Sequence, residues 1–118
     1  MSNENKIVLE ILQIAKDLEY GKSISVEEIM QQIDYPKDEG IKLIGAALRS
    51  FLLAGDKYYG IDTKIEDHTR VLGLDREGYV AYDVLTNPEI ITGILNNKNI
   101  NLEKVSIFTA IALLRRYI

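Results

Sequence analysis

The chain has 118 residues, of which 47% are apolar and 27% are charged, and its formal net charge is −4. These values suit one globular domain over residues 1–118 and argue against disorder. Cysteine is absent and His68 is the single histidine, which excludes disulfides, thiolate metal sites and sites with several imidazoles. The sequence has no signal-peptide pattern and no apolar run of the roughly 20 residues that span a bilayer, so we expect a cytoplasmic protein without membrane contact.

The first predicted element is a helix over residues 6–19, which Gly21 is expected to end. Its apolar residues recur at helical spacing: Ile7, Ile11, Ile14 and Leu18. Further apolar residues widen the apolar arc in the first turns. We therefore expect neighbouring elements to cover this helix on more than one side.

Residues 25–60 have the outline of a helix-turn-helix unit. Ser25 and Glu28 have the spacing of a capping box, which predicts that the second helix begins at Ser25. The same helix should end near Asp34, because the residue before Pro36 is driven out of the α-helical region.

The third helix is predicted to run from Pro36 or Asp38 to Ala54. Gly55 should end it in the left-handed conformation. Gly45 is unfavourable inside a helix and therefore indicates close packing against another backbone. The apolar stripe that faces the core comprises Ile41, Ile44, Leu48, Phe51 and Leu52.

A β-hairpin is predicted over residues 69–85, which are rich in β-branched and aromatic residues. Residues 75–78 supply its turn, with Gly78 at the position that needs a positive φ. Residues 57–67 before it are expected to form a short strand and a polar loop. In the alternative topology, residues 79–97 are helical and the chain is a bundle.

Two helices are expected at the C-terminal end. Asn87 and Pro88 predict the start of a short helix over residues 88–97. Asn101 is the expected cap of the last helix, Leu102–Ile118. The apolar arc of that helix is wider than one core contact requires, so it is either central in the fold or a homodimer contact, and we favour a homodimer through Leu102–Ile118.

The predicted fold class is therefore α+β and mainly helical: a helix-turn-helix core, a wing-like β-hairpin and two C-terminal helices. The stretch ILQIAKDLEYGKSISVEEIMQQIDYPKDEGIKLIGAALRSFLLAGDKYY carries a resemblance to the winged helix-turn-helix superfamily. The resemblance extends over residues 7–85 at most. It implies a recognition helix that begins after Tyr35, a hairpin that serves as the wing, and DNA binding as the usual role.

Five cations are the candidate nucleic-acid contacts that this resemblance implies: Lys37, Lys42, Arg49, Arg70 and Arg76. Recognition helices read bases from their N-terminal half, and here that half also carries Asp38 and Glu39, which repel phosphates. DNA-binding domains usually have a basic excess because phosphate neutralisation drives their affinity. DNA binding is therefore possible but disfavoured by charge.

Tyrosine is the unusual residue type, with seven copies against two phenylalanines and no tryptophan. Tyrosine is enriched at protein interfaces. The candidate partner-binding residues, in or near the predicted hairpin, are Tyr58, Tyr59, Tyr79 and Tyr82.

No catalytic motif stands out in the sequence. Glu66, Asp67 and His68 are adjacent, but neighbours in a loop rarely converge on one substrate atom. We therefore expect no enzyme, no cofactor and no metal. The favoured function is a small acidic protein-interaction module of the adaptor, chaperone, immunity or inhibitor type with an unknown protein partner, and the alternative is a winged-helix DNA-binding transcriptional regulator.

Overall fold

The computed structural model describes residues 1–94 and 100–117. The fold is α+β and 54% helical, which confirms the predicted class. In chain order the described elements are α1 (Asn3–Lys16), β1 (Ile24–Ser25), α2 (Val26–Gln32), α3 (Lys37–Arg49), β2 (Leu53–Gly55), β3 (Arg70–Leu74), α4 (Arg76–Thr86), α5 (Glu89–Ile94) and α6 (Ile107–Tyr117).

The three strands form a small antiparallel sheet in the order β1-β3-β2. Ile24 of β1 lies opposite Val71 of β3. On the other side of β3, Leu53 lies opposite Leu74, and the register shifts between Ala54 and Gly55. The central strand therefore joins the start of α2 to the end of α3.

One cluster of buried apolar side chains links the helix-turn-helix segment to the C-terminal helices. Leu12 of α1, Ile44 of α3 and Ile107 of α6 are fully buried in it. α1 packs against β3, α4 and α3, which agrees with the expectation that neighbouring elements cover it on more than one side.

Polar caps define where the first two helices begin. Ser2 accepts a hydrogen bond from the Asn5 amide, so α1 starts at Asn3, three residues earlier than expected, and it ends at Lys16. The predicted capping box of α2 is present: Ser25 Oγ accepts from the Glu28 amide at 3.1 Å, and Glu28 Oε1 accepts from the Ser25 amide at 3.2 Å. Gly21 has a positive φ of 82° in the turn that follows α1.

The prediction that the third helix reaches Ala54 is wrong, because α3 ends at Arg49. Phe51, with φ at +61°, adopts the left-handed conformation that was assigned to Gly55. The chain can then turn, and residues 53–55 pair with β3 instead of continuing the helix. Pairing across the sheet has overridden a helical apolar pattern. Gly45 in α3 was expected to pack closely against another backbone. A Cβ on Gly45 would instead meet the side chains of Arg49 and Ile65, so that expectation is wrong.

The prediction of a hairpin over residues 69–85 is also wrong in its second half. β3 is a strand as expected, but Arg76–Thr86 is the helix α4, and Asp75 is its N-cap. Gly78 does not have a positive φ. The hairpin in this fold joins β2 to β3 through a long loop, residues 56–69. The alternative topology, with residues 79–97 helical, was correct for the helices α4 and α5 up to Ile94. Residues 95–97 lie outside the described part of the chain.

The last helix is shorter than expected. It begins at Ile107 because Ser106 Oγ accepts from the Thr109 amide and the Asn5 side chain accepts from the Ile107 amide. Asn101, the predicted cap, accepts instead from the Glu103 amide in a turn. α5 ends at Ile94 in the described part, and the final predicted position, Ile118, lies outside it.

Candidate interaction surface

Four of the five candidate nucleic-acid contacts are engaged within the chain. Lys37 Nζ lies 3.0 Å from Asp67 Oδ2. Arg49 donates from Nε to the Gly60 carbonyl at 3.1 Å and from Nη2 to the Thr63 carbonyl at 2.9 Å. These two cations of α3 therefore hold the β2–β3 loop (residues 56–69).

Two of the remaining candidate cations, Arg70 and Arg76, lie on other elements. Arg70 of β3 donates to the Ser23 carbonyl at 3.0 Å, and its Nη1 lies 3.4 Å from Glu28 Oε1. The Arg76 guanidinium sits 5.4 Å from the centroid of the Phe51 ring. Lys42 is exposed on α3. Four of the five cations therefore have local partners within the chain.

The charge of the chain is concentrated in the segment that a winged-helix protein would present to DNA. Residues 26–69 hold nine Asp/Glu and five Lys/Arg, whereas the rest of the chain holds nine of each. The whole net charge of −4 therefore lies on α2, α3, the turn between them and the β2–β3 loop. Hydrogen bonds from Ser25 and the charge of Arg70 lower the pKa of Glu28, and the hydrogen bond with Asp67 raises the pKa of Lys37.

Two of the four candidate tyrosines serve the fold. Tyr59 is only 5% exposed and donates its hydroxyl hydrogen bond to Asp56 Oδ1 at 2.5 Å. Burial and this bond raise the pKa of Tyr59 to about 12. Tyr82 is half-buried; its hydroxyl donates to Gln13 Oε1 at 2.8 Å, and Lys16 Nζ lies 5.2 Å from its ring centroid.

The other two candidate tyrosines are exposed on different elements. Tyr58 in the β2–β3 loop is 76% exposed, and Tyr79 on α4 is 58% exposed. Tyr79 lines a groove of about 640 Å³ between the end of α1, β3 and α4, together with Leu72 and the fully exposed Tyr20. We call this the Tyr79 groove. Sequence reasoning missed Tyr20 because an isolated tyrosine after a helix carries no pattern.

The β2–β3 loop carries a second exposed apolar residue, Ile61, close in sequence to Tyr58. Ile61 is 89% exposed three residues after Tyr58, and sequence reasoning assigned it only to a possible strand. The Thr63 amide donates to the Gly60 carbonyl at 3.1 Å, and the Gly60 amide donates to Thr63 Oγ1 at 3.2 Å. These bonds close a tight turn directly around Ile61.

The adjacent Glu66, Asp67 and His68 side chains do not share one partner. His68 is exposed, with Nε2 3.1 Å from Glu66 Oε2, while Asp67 faces Lys37. In residues 1–94 and 100–117, no group of three or more His, Asp or Glu side chains is placed to hold a metal ion. Helices long and apolar enough to cross a membrane are likewise absent from this described part of the chain.

Comparison with models of protein families, with curated proteins and with solved structures finds no match for this chain.

Proposed function

We propose that this chain is a small, non-catalytic protein-interaction module of the adaptor, chaperone, immunity or inhibitor type. The observation that carries the proposal is the internal engagement of the candidate DNA contacts, above all Lys37 with Asp67 and Arg49 with the β2–β3 loop. Cations that already bind carbonyls and carboxylates have less to gain from phosphates. The proposal includes a cytoplasmic location, which the lack of cysteine favours.

We also propose that residues 3–74 have the winged-helix arrangement. The support is the element order, in which three helices precede a hairpin and β1 joins the same sheet. In this arrangement α3 is the counterpart of the recognition helix and the β2–β3 loop is the wing. DNA binding is the second candidate function because this element order favours it, while the charge of residues 26–69 opposes it.

The proposed homodimer through Leu102–Ile118 now has less support from packing. The apolar side chains Ile107, Ala110 and Leu114 are buried within the chain, and α6 packs against α4 and α5. A central position in the fold therefore accounts for much of the apolar arc. Size-exclusion chromatography with light scattering tests the dimer, which a monomer at high micromolar concentration would refute.

A DNA titration separates the two candidate functions. We expect no change in the fluorescence anisotropy of a labelled mixed-sequence duplex at low salt. Binding that weakens steeply as salt is added, and that Lys42→Ala weakens further, would instead establish the DNA-binding alternative.

The protein partner is tested by affinity capture from cells of the source organism. Bait variants Tyr58→Ala and Tyr79→Ala remove exposed tyrosines, whereas Tyr82→Phe keeps a half-buried ring and serves as the matched control. We expect a stoichiometric protein that the control retains and that at least one exposed-site variant loses. Recovery of the same proteins by all baits, or of none, would contradict the proposal.

A further inference from the structure

We propose that residues 60–65 of the β2–β3 loop are a strap that opens and closes over α3 without unfolding of the chain. The position of the strap decides whether Arg49 can bind an anionic ligand. This inference goes beyond the proposed protein partner and does not depend on it.

The strap lies between two fixed points of the loop. Tyr59, which precedes it, and Thr69, which follows it, are both buried. The turn over residues 66–69 is closed twice, because Thr69 Oγ1 accepts from the Glu66 amide at 2.9 Å and the Glu66 carbonyl accepts from the Thr69 amide at 3.1 Å. Between these points, no side chain of residues 60–65 is buried. Segments with few buried side chains open locally at a lower free energy than the core.

Two contacts hold the strap against α3. Arg49 donates to the carbonyls of Gly60 and Thr63, and both bonds are exposed to solvent. Ile65 is partly buried and lies over Gly45, where a Cβ would stand 3.1 Å from its Cγ1 atom. The Thr63 amide also donates to the Gly60 carbonyl, so the strap keeps its own turn when the contacts with α3 break. The strap can therefore move away from α3 as one unit.

The closed strap occupies one edge of the Arg49 guanidinium. Nε and Nη2 form a fork that can bind a phosphate or carboxylate bidentately, and here both atoms donate to carbonyls of the strap. Among residues 1–94 and 100–117, Arg49 has no carboxylate partner, so its charge remains when the strap opens. Lys42, seven positions earlier on the same face of α3, is exposed as well. An open strap thus presents two cations to an anion, although Asp38, one turn before Lys42, lowers the expected affinity.

Gly45 offers a variant that opens the strap without weakening the helix. A Cβ there would stand 2.8 Å from Arg49 Nη1, at the far end of a flexible side chain, and 3.1 Å from Ile65 Cγ1. Gly45→Ala should therefore displace both contacts, while alanine favours the helical conformation of α3. We expect the hydrogen on Arg49 Nε to exchange about tenfold faster, with an unchanged or higher urea midpoint. Gly93→Ala, whose Cβ would meet none of the described residues within 4 Å, is the matched control and should leave this exchange unchanged.

Nuclear magnetic resonance at low urea concentrations shows whether the strap opens by itself. Opening of the strap exposes little surface, so the exchange at Arg49 Nε should not respond to urea. The amide of the buried Leu52, which donates to the Ala47 carbonyl, should exchange faster as urea is added. Equal urea dependence at both positions would show that the strap opens only when the chain unfolds, and would overturn the inference. Unchanged exchange at Arg49 in Gly45→Ala would overturn it as well.

A titration with pyrophosphate tests whether the strap controls access to Arg49. When only the open form binds, the apparent Kd falls by the factor by which the open fraction rises. We expect Gly45→Ala to bind pyrophosphate about tenfold more tightly than the unaltered chain, the same factor as in hydrogen exchange, and a second change, Arg49→Gln, to remove this gain. Equal affinity of Gly45→Ala and the unaltered chain, or a gain that survives Arg49→Gln, would overturn the control of access by the strap. Absence of binding to all variants would overturn Arg49 as an anion site.

Discussion

Gly78 lies in α4 at a point where the helix meets backbone of another segment. A Cβ built on Gly78 would stand 2.0 Å from the Leu52 carbonyl oxygen. That oxygen cannot move freely because it accepts a hydrogen bond from the Asp75 amide at 3.0 Å. The absence of a side chain, rather than an unusual backbone conformation, is therefore what this position requires.

Gly78→Ala should lower the free energy of unfolding by about 2 kcal/mol, because α4 must shift away from Leu52 to make room. Urea unfolding followed by circular dichroism measures the change. Gly93→Ala on α5 is the matched control: its Cβ would have no neighbour within 4 Å among residues 1–94 and 100–117, and alanine favours helix, so its stability should be equal or higher. Equal stability of both variants would contradict this explanation.

Single residues also show where sequence reasoning reaches its limit. The predicted glycine stop of α3 was misplaced because Phe51, which is not glycine, adopts a positive φ, and such residues are uncommon. Among the candidate tyrosines, composition indicated an interface-prone residue type but not exposure. The Tyr59 ring is buried in the core, and the Tyr82 hydroxyl is bonded to Gln13, 69 positions away, and both depend on tertiary structure.

At the scale of elements, the capped α2 was predicted correctly and α4 was not. Ser25 and Glu28 are close in sequence, so a local pattern suffices. In α4, Tyr79 and Val80 favour strand as residue types, whereas the buried Ala81, Val84 and Leu85 have helical spacing that indicates the true structure. The β2–β3 loop was divided between predicted elements because its ends are defined by the pairing of β2 with β3.

An ion pair joins α4 to α6. Arg115 Nη2 lies 2.7 Å from Glu77 Oε1, and the Glu77 side chain is only 15% exposed. The hydrogen bond and charge of Arg115 lower the pKa of Glu77 below its usual 4.5, and the same partner raises the pKa of Arg115. The carboxylate therefore favours the folded state when it is charged.

Stability should consequently fall as the solution is acidified. The contribution of Glu77 is complete above its unfolded pKa of 4.5 and is lost as the pH falls through the lower folded pKa. Urea unfolding across this acidic range should show a smaller loss for Glu77→Gln than for the unaltered chain. Glu10→Gln, on an exposed part of α1, controls for a general change of charge, and identical slopes for all three proteins would refute the prediction.

At the scale of the whole molecule, one buried side chain connects the first helix to the last. Asn5 is fully buried and donates to the Leu102 and Val105 carbonyls, each at 2.9 Å. Its carbonyl oxygen accepts from the Ile107 amide at 2.9 Å, which satisfies the start of α6. The position of α6 therefore depends on a residue that belongs to the opposite part of the sequence.

Asn5→Leu should destabilise the chain by about 3 kcal/mol, because it removes three hydrogen bonds and leaves the Val105 carbonyl and the Ile107 amide without their partner in the interior. The Leu102 carbonyl keeps its bond from the Ser2 amide. The amide of Ile107 should also exchange its hydrogen much faster, which nuclear magnetic resonance measures. Asn3→Ala, exposed in the same turn of α1, is the control and should change little. A stable Asn5→Leu variant with a protected Ile107 amide would show that α6 is held by other contacts.

This connection has a consequence for how the protein is made. Asn5 and Leu102 are 97 positions apart, so the carboxamide leaves the ribosome long before its partners exist. At roughly 5–20 residues per second, that delay is about 5–20 s. During this interval the Asn5 carboxamide and the Ser2 amide have none of the carbonyl partners that they bind in the folded chain. The first turn of α1 can therefore reach its final hydrogen-bonded state only when synthesis is almost complete.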